Sequence, residues 1–319
     1  MARLTERAGL VALAAFLVVD VALVGLAVSS TRQPVARGGQ TVGTPSGALS
    51  TAPAPGPSTS PAGSAAPTGA NGGAAAAVDV VPVAVGVVGV DAKRALRFTQ
   101  GSCDKGGATL ELTTDGGRTW GPRSAPFDVL VRVRVRADGS AFAVGADKGG
   151  CAPAIKQTRA VDAQFGGVGS VSDAWYRDPR ATDTVGLPSG KRGKPCGSAD
   201  VIDLAVVDSG AQVLCGDGTL LSSRTGSSWR TVTTARGALA VAIDGSGRSY
   251  LVVPSVDGCK GLAVVDSGSP TKAAGCVVTD LGKVDPGSIA LSVTPDRAWL
   301  RVGDEVHTSA ADLTGWTTP

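Results

Sequence analysis

The eight residues Thr113–Trp120 read TTDGGRTW and follow the alternating segment ATLELTT. Alternation of apolar and polar residues is typical of a β-strand, and an Asp-Gly pair after it is a strong hairpin signal. Gly117 permits a positive φ, Asp115 can accept main-chain N–H bonds across the turn, and Trp120 can cover the hairpin. The segment therefore predicts two antiparallel strands joined by a tight turn.

The same layout recurs along the chain from residue 79 to residue 319. Five units each begin with an apolar strand that ends in an Asp-containing turn, followed by a second strand, a hairpin and a third strand. Self-similarity of this kind indicates a repeat architecture, and the punctuation by Asp and Gly indicates strands rather than helices. The first strands read VPVAVGVVGVD, VRVRVRAD, VIDLAVVD, LAVAID and IALSVTPD, and their turn aspartates are Asp91, Asp138, Asp208, Asp244 and Asp296. The sequence therefore predicts an all-β domain.

The turn Thr113–Trp120 resembles the Asp box, or BNR repeat, whose pattern is Ser/Thr-x-Asp-x-Gly-x-Thr-Trp. A second turn, Ser222–Trp229, reads SSRTGSSW and has Arg224 in place of the Asp. The resemblance implies a sialidase-like β-propeller in which the box residues are structural and lie on the face opposite the binding site. These residues are Thr113, Asp115, Gly117, Thr119, Trp120, Ser222, Gly226 and Trp229.

The length of the repeats sets the expected number of blades. Roughly 240 residues over five units gives about 48 residues each, which is within the usual range for a propeller blade. We therefore predict five blades. The first strands of the second and third units are about 70 residues apart, so a sixth blade in that gap is the alternative.

Few residues are present that could carry the chemistry of the sialidases. The resemblance would imply an arginine triad, a tyrosine nucleophile with an activating glutamate, and an acid/base aspartate. Only Tyr176 or Tyr250 with Glu111 or Glu305 could form the tyrosine–glutamate pair, and His307 is the single histidine. A histidine-based zinc site needs more imidazoles, and no Cys-x-x-Cys occurs. We therefore predict no catalytic residue, no metal site and no cofactor.

The N-terminus predicts membrane attachment. An apolar run from Ala8 to Val28, broken only by Asp20, would extend about 30 Å as a helix, enough to span a bilayer core. Residues 1–28 are therefore predicted as a transmembrane signal anchor, with a cleaved signal peptide as the alternative. Residues 29–78 are rich in Pro, Ala, Ser, Thr and Gly, which predicts a disordered linker before the propeller at 79–319. This tether resembles those of actinobacterial surface proteins.

All the cysteines lie beyond the predicted anchor, and their number is even. This pattern indicates disulfides in an oxidising compartment. Most of the cysteines fall in or beside the hairpins between second and third strands, which share one face of a propeller. Pairing of sequence neighbours is the simplest connectivity among several possible ones. It would give Cys103–Cys151, Cys196–Cys215 and Cys259–Cys276.

Basic residues beside these cysteines form a candidate binding surface. The domain as a whole is nearly neutral, so no general affinity for nucleic acid is implied. The loop candidates are Lys105, Lys148, Lys191, Arg192, Lys194 and Lys260, and solvated surface lysines are the alternative interpretation. Arg132, Arg134 and Arg136 alternate with valine on one face of a strand, so either they line a polar central site or this strand is displaced toward solvent.

These observations predict a non-catalytic binding or assembly module of a cell envelope. The propeller would be extracellular, held to the membrane by one N-terminal helix, or secreted if that segment is cleaved. Its expected partner is an envelope protein or an anionic ligand, either a glycan or a lipid headgroup. The alternative from a different class is a divergent exo-glycosidase, a sialidase-like glycoside hydrolase.

Overall fold

The computed structural model describes residues 78–319. The predicted anchor at 1–28 and all but the last residue of the predicted linker at 29–78 lie outside this range. Within the described residues, no helix has the length and hydrophobicity needed to cross a bilayer. Apart from one 3₁₀ turn at Leu281–Lys283, the regular structure consists of antiparallel strands arranged as six sheets.

The first three sheets follow one another along the chain. The first blade contains β1 (Val85–Gly89), β2 (Ala95–Thr99), β3 (Thr109–Thr113) and β4 (Gly121–Arg123). The second blade contains β5 (Val129–Val135), β6 (Ala141–Ala146), β7 (Ala154–Thr158) and β8 (Gly166–Gly169). The third blade contains β9 (Tyr176–Arg177), β10 (Val185–Gly186) and β11 (Arg192–Gly193).

The remaining three sheets complete the fold. The fourth blade contains β12 (Val201–Val207), β13 (Gly210–Cys215), β14 (Thr219–Ser223) and β15 (Arg230–Thr234). The fifth blade contains β16 (Ala240–Ile243), β17 (Ser249–Pro254), β18 (Gly261–Asp266) and β19 (Ala273–Val278). The sixth blade contains β20 (Ile289–Val293), β21 (Arg297–Val302) and β22 (Glu305–Ala310), extended by a bridge between Thr308 and Thr317.

The first strand of each blade contacts the first strands of its two neighbours, so the six sheets form a closed ring. The contacts run from β1 through β5, β9, β12, β16 and β20 back to β1. At the closure, the N–H of Gly89 donates to Ser292 Oγ at 3.0 Å. The N–H of Ala84 also donates to the carbonyl of Gly287 at 2.8 Å. The protein is therefore a β-propeller, as predicted.

The predicted number of five blades is wrong, and the alternative of six is the observed one. The extra blade is the third, which lies in the long gap between the second and third sequence units. Each of its strands has only two residues, too few to show an alternating pattern. Its direction is also reversed. The carbonyl of Thr182, in the β9–β10 hairpin, accepts from the N–H of Val201 at the start of β12, whereas Leu187, in the β10–β11 hairpin, contacts the Ser222–Trp229 turn.

The core lies between neighbouring blades and uses few aromatic side chains. Two aromatic rings in the sheets each cover a glycine on the paired strand. The Phe98 ring lies over Gly86 and the Tyr176 ring over Gly186, and a Cβ on either glycine would overlap the ring. Trp299 is completely buried between the sixth and first blades and meets Trp120 edge-on, with 6.4 Å between ring centroids. The interior is otherwise built from Val, Leu, Ile and Ala, which pack closely because they are small.

Three disulfides join the predicted neighbour pairs, Cys103–Cys151, Cys196–Cys215 and Cys259–Cys276. The first joins the β2–β3 hairpin of the first blade to the β6–β7 hairpin of the second. The second fixes the loop before β12 to the end of β13, and the third fixes the β17–β18 hairpin to β19. We call the propeller face that carries these hairpins the disulfide face. The opposite face, with the five turn aspartates, is the turn face.

Ring closure can be tested at Gly89. A Cβ at this position would lie 2.7 Å from both Thr294 Cγ2 and Trp299 Cδ1, and the buried indole cannot move aside. We expect Gly89→Ala to lower the free energy of unfolding by about 1–3 kcal/mol. The measurement is a urea titration followed by tryptophan fluorescence. Gly150→Ala is the matched control, because nothing lies within 4 Å of a Cβ there. Equal midpoints for the two variants would contradict the packing.

Candidate functional site

The centre of the ring holds a channel of about 200 Å³ bounded by the innermost strands. Most of the residues around it are valine, leucine, isoleucine and alanine of β1, β5, β12, β16 and β20, although more of the exposed wall is polar than apolar. Its polar side chains are those of Arg132, Arg134, Arg177, Asp203 and Ser292. Convergent polar groups in a cavity are a common feature of ligand sites, so the partners of these side chains decide whether the channel can bind one.

Arg177 lies at the end of the channel nearest the disulfide face and binds groups from several blades. Its guanidinium donates to the carbonyls of Val83 and Ile202, the latter at 3.2 Å, and to Gln100 Oε1 at 3.1 Å. Burial lowers the pKa of Arg177, and the charge of Asp203 opposes that change. The side chain therefore joins the third blade to the segment before β1, to the end of β2 and to the start of β12.

Asp203 joins the fourth blade to the fifth. Its Oδ1 accepts from the N–H of Leu204 at 2.8 Å, and its Oδ2 accepts from the N–H of Val241, on β16, at 2.9 Å. Burial raises the pKa of Asp203, although the charge of Arg177 and both N–H groups act in the opposite direction. Among the described residues that line the channel, Asp203 is the one carboxylate, and both of its oxygens hold main-chain groups. An acid/base pair does not form here.

The arginines of β5 face the short third blade. Arg132 donates to the carbonyl of Trp175 at 2.7 Å, and Arg134 crosses to the fourth blade, where Nη2 donates to Asp208 Oδ1 at 2.6 Å. Arg132 and Arg136 lie over the Phe142 ring at 5.1 and 5.0 Å. Burial and the charge of Arg134 lower the pKa of Arg132 to about 9, so it remains protonated at neutral pH.

This arrangement decides between the two interpretations of the arginine strand. Since β5 is the innermost strand of its sheet, the interpretation of a strand displaced toward solvent is wrong. Arg132 and Arg134 line the channel, whereas Arg136 turns back to Ser140 Oγ at 3.3 Å. The arginine charges are tolerated for two reasons. The third blade has strands of only two residues and leaves room beside the arginine side chains, and each guanidinium has a partner.

The predicted basic residues do not form one basic patch. Lys105, Lys148 and Lys260 are exposed on hairpins of the disulfide face, as expected. Lys194 is paired with Asp183 at 2.6 Å and Arg192 with Asp178 at 3.1 Å, and the hairpin of Lys191 lies toward the turn face. Aspartates in the connections of the disulfide face include Asp104, Asp128, Asp147, Asp200, Asp217 and Asp257. The charge of that face is therefore mixed.

The turn Thr113–Trp120 satisfies its own polar groups. Asp115 Oδ1 accepts from the N–H of Thr119 at 3.0 Å and from Thr113 Oγ1 at 2.9 Å, while Oδ2 accepts from Thr119 Oγ1 at 2.7 Å. Thr113 Oγ1 also accepts from the N–H of Gly117 at 2.9 Å. These bonds, chiefly those from Thr119, lower the pKa of Asp115 to about 2. Trp120 covers the hairpin, and the Arg97 guanidinium lies over its ring at 4.7 Å from the centroid.

The turn Ser222–Trp229 lies at the corresponding place in the fourth blade, but it is one residue shorter between its strands and has different chemistry. The N–H of Gly226 donates to Ser223 Oγ at 2.8 Å, and the hydroxyls of Thr225 and Ser227 pair with each other at 2.8 Å. Trp229 meets Trp175 of the third blade edge-on, with 5.7 Å between centroids. Arg224, which replaces the aspartate, is exposed and has no hydrogen bond or ion pair within residues 78–319.

The tyrosine–glutamate pairs considered for sialidase chemistry do not assemble. Glu111 accepts from Arg97 Nε at 2.6 Å on the first blade. Tyr250 OH donates to Asp244 at 3.3 Å on the fifth blade, while the Tyr176 ring covers Gly186 on the third. His307 lies on the outermost strand of the sixth blade, 3.7 Å from Glu305, and burial lowers its pKa.

Sequence reasoning missed Arg177, Asp203 and Gln212 as notable side chains. Asp203 interrupts an apolar run, VIDLAVV, and a charge at that position was a detectable signal. Arg177 lies in the irregular segment YRDPR, where no periodicity marks it. Gln212 lies inside β13, is only 8% exposed, and its Oε1 has no hydrogen-bond partner among the described residues.

No protein-family model matches the sequence, and no curated protein does. Some solved structures resemble the fold at low identity. A structure titled "YCF48 bound to D1 peptide" is 17% identical over 75% of this chain and 82% of its own, with a TM-score of 0.38. YCF48 from Cyanidioschyzon merolae is 12% identical, with coverages of 75% and 86% and a TM-score of 0.34. A thermostable family-43 glycoside hydrolase is 11% identical, with coverages of 75% and 89% and a TM-score of 0.34.

The structural role of Arg177 can be tested by substitution. Arg177→Met keeps the length and apolar stem but leaves the bonded carbonyl and amide oxygens without a donor. We expect the free energy of unfolding to fall by about 3 kcal/mol in urea titrations. Arg236→Met, at an exposed arginine of the fourth blade's outgoing loop, is the control and should change it by less than about 0.5 kcal/mol. Indistinguishable stabilities would show that Arg177 does not hold the blades together.

The low pKa of Asp115 predicts how its contribution depends on pH. Because the pKa is depressed in the folded state, the stabilisation is present above the unfolded value of about 4 and is lost as pH falls toward 2. We expect Asp115→Asn to lower the melting temperature at pH 7 and to have little effect near pH 2. Asp257→Asn, at an exposed aspartate of the disulfide face, is the control. A pH-independent difference at Asp115 would contradict this account.

Proposed function

We propose that this chain is a non-catalytic binding or assembly module built on a β-propeller. One observation carries the proposal. The channel has a single carboxylate among its described lining residues, and Asp203 uses both oxygens to bind the main chain of two blades. Most glycoside hydrolases use two carboxyl groups that face the scissile bond. The centre of this ring therefore supports the scaffold rather than a hydrolytic reaction.

The hydrogen bonds of the Thr113–Trp120 turn relate this propeller to a known type of propeller repeat. The bonds of Asp115 to Thr113 and Thr119 are those that an Asp box would make, and Trp120 covers the hairpin as in that motif. We infer that the domain is a divergent propeller of the Asp-box, sialidase-like type that has kept the turn and lost the chemistry. Its tether is of the kind found on actinobacterial surface proteins.

The location that fits these features is the outer side of a cell membrane. Three disulfides require an oxidising compartment to form and persist. The apolar run Ala8–Val28 would hold the chain in the membrane as a single pass, or would direct secretion if cleaved. A long linker would then let the propeller reach partners at a distance from the bilayer.

The disulfide face is the proposed partner surface. Its hairpins are fixed within and between blades, so binding would cost little loop ordering. Exposed Lys105, Lys148 and Lys260 are interspersed with aspartates. Mixed charge suits a protein partner with complementary groups better than a uniformly anionic glycan or lipid headgroup.

A charge-reversal experiment tests this surface. The full-length protein with Lys105, Lys148 and Lys260 changed to Glu is compared with one in which Lys93, Arg118 and Lys272, exposed on the turn face, are changed to Glu. Each protein is cross-linked in envelope preparations and captured. We expect a partner that is enriched by wild type and by the turn-face variant, and reduced about tenfold by the disulfide-face variant.

Two results would overturn the proposal. Equal capture of every partner by both variants would exclude the disulfide face as the interface. Turnover of aryl glycosides by the purified protein, abolished by Asp203→Asn in a variant that remains folded, would instead support the exo-glycosidase alternative.

A further inference from the structure

A second concave site lies on the turn face, away from the disulfide face. It is a groove of about 470 Å³ beside the turn Ser222–Trp229, closed on its other side by Ile243 and Gly247 of the fifth blade. This volume falls within the range of small-molecule sites. Its polar and aromatic lining includes Ser209, Gln212, Ser222, Arg224, Trp229 and Arg230.

Gln212 is the strongest indication that the groove has an occupant. The residue is 8% exposed, lines the groove, and its Oε1 has no hydrogen-bond partner within residues 78–319. Leaving a buried acceptor unsatisfied is costly, and such groups are rare in native proteins. The terminal amide rotates over a broad range, so Oε1 can turn to a donor in the groove. A ligand with an O–H or N–H group would satisfy it.

The substitution in the adjacent turn supplies a free positive charge. In the turn Thr113–Trp120 the carboxylate of Asp115 is used by three bonds within the turn. The sequence of the turn Ser222–Trp229 has Arg224 instead of an aspartate, and its guanidinium has no partner in the described part of the chain. Arg230, also exposed, lies at the same groove. Guanidinium groups recognise carboxylates by paired, charge-assisted hydrogen bonds.

The other charged groups near the groove are already engaged. Asp208, next to Ser209, is bound by Arg134 at 2.6 Å. Asp244 accepts from the N–H groups of Ser246 and Arg248. The two free arginines therefore give the groove a positive character toward a ligand.

The remaining groups favour a hydroxylated ligand over a simple anion. Trp229 is half-buried and packs against Trp175 in a T-shaped arrangement. Indole rings bind ligands that have an apolar body and polar edges, and the serine hydroxyls can both donate and accept. The groove thus presents an indole ring, serine hydroxyls, the amide of Gln212 and two guanidinium groups within one cavity.

We propose that this groove binds an acidic sugar, a pyranose bearing a carboxylate. Arg224 and Arg230 bind the carboxylate, a sugar hydroxyl donates to Gln212 Oε1, and the sugar ring lies against Trp229. This site is independent of the partner surface on the disulfide face and would remain if that surface had no partner.

The test is a titration of the full-length protein with glucuronate, followed by saturation-transfer NMR. Glucose and acetate serve as probes that lack the carboxylate and the ring, respectively. We expect glucuronate to bind with a Kd of about 1 mM and the other two at least tenfold more weakly. Equal binding of glucose would overturn the role of the arginines, and equal binding of acetate would overturn the role of the sugar. No detectable binding of glucuronate would overturn the site.

Variants distinguish binding from structure. Arg224→Asp should weaken glucuronate binding at least tenfold, while Arg118→Asp, at the exposed arginine of the Thr113–Trp120 turn, should leave it unchanged. Gln212→Met should weaken binding several-fold without lowering the melting temperature, because it removes an unsatisfied polar group. A loss of stability in Gln212→Met with unchanged binding, or equal losses in Arg224→Asp and Arg118→Asp, would contradict the proposal.

Discussion

Burial of both faces of every sheet is the constraint on which the rest of the structure depends. Each blade is a small twisted sheet that cannot bury its apolar faces alone, and only closure of the ring gives every blade two neighbours. At the junction of the sixth and first blades, Gly89 leaves room for the buried indole of Trp299. The low aromatic content is compatible with this fold because small side chains allow neighbouring sheets to approach closely.

The short third blade explains the unusual charges near the centre. Its two-residue strands cannot fill the space that a full blade would occupy between the second and fourth. Arg134 extends across that space to Asp208, and Arg132 bonds the main chain at Trp175. Arg177 connects this short blade to its surroundings by donating to the carbonyl of Ile202 and to Gln100 Oε1. The cost of burying these guanidinium groups is offset because each has a fixed acceptor.

The parts of the fold that depend on local pattern were predictable, and the parts that depend on long-range contact were not. The strands around Asp91 and Asp244 showed period-two alternation ending in a turn, and sequence-neighbour pairing anticipated Cys103–Cys151. The third blade was predicted only as the alternative, because a two-residue strand has no period. The bond of Asp203 to Val241 joins residues 38 apart, so the charge of Asp203 stands out in its apolar run but nothing local indicates its partner.

Two turns at corresponding places in their blades show how a change of turn chemistry changes what a surface can do. In the first, Asp115 closes the turn on itself, and the side chains of Thr113 and Thr119 leave no carboxylate oxygen free. In the second, Ser223 is paired in its sheet as Thr113 is in the first, and the hydroxyls of Thr225 and Ser227 bond each other, so the turn needs no carboxylate. Arg224 takes no part in these bonds. Its charge can therefore act toward the adjoining groove, where Gln212 Oε1 has no partner among the described residues.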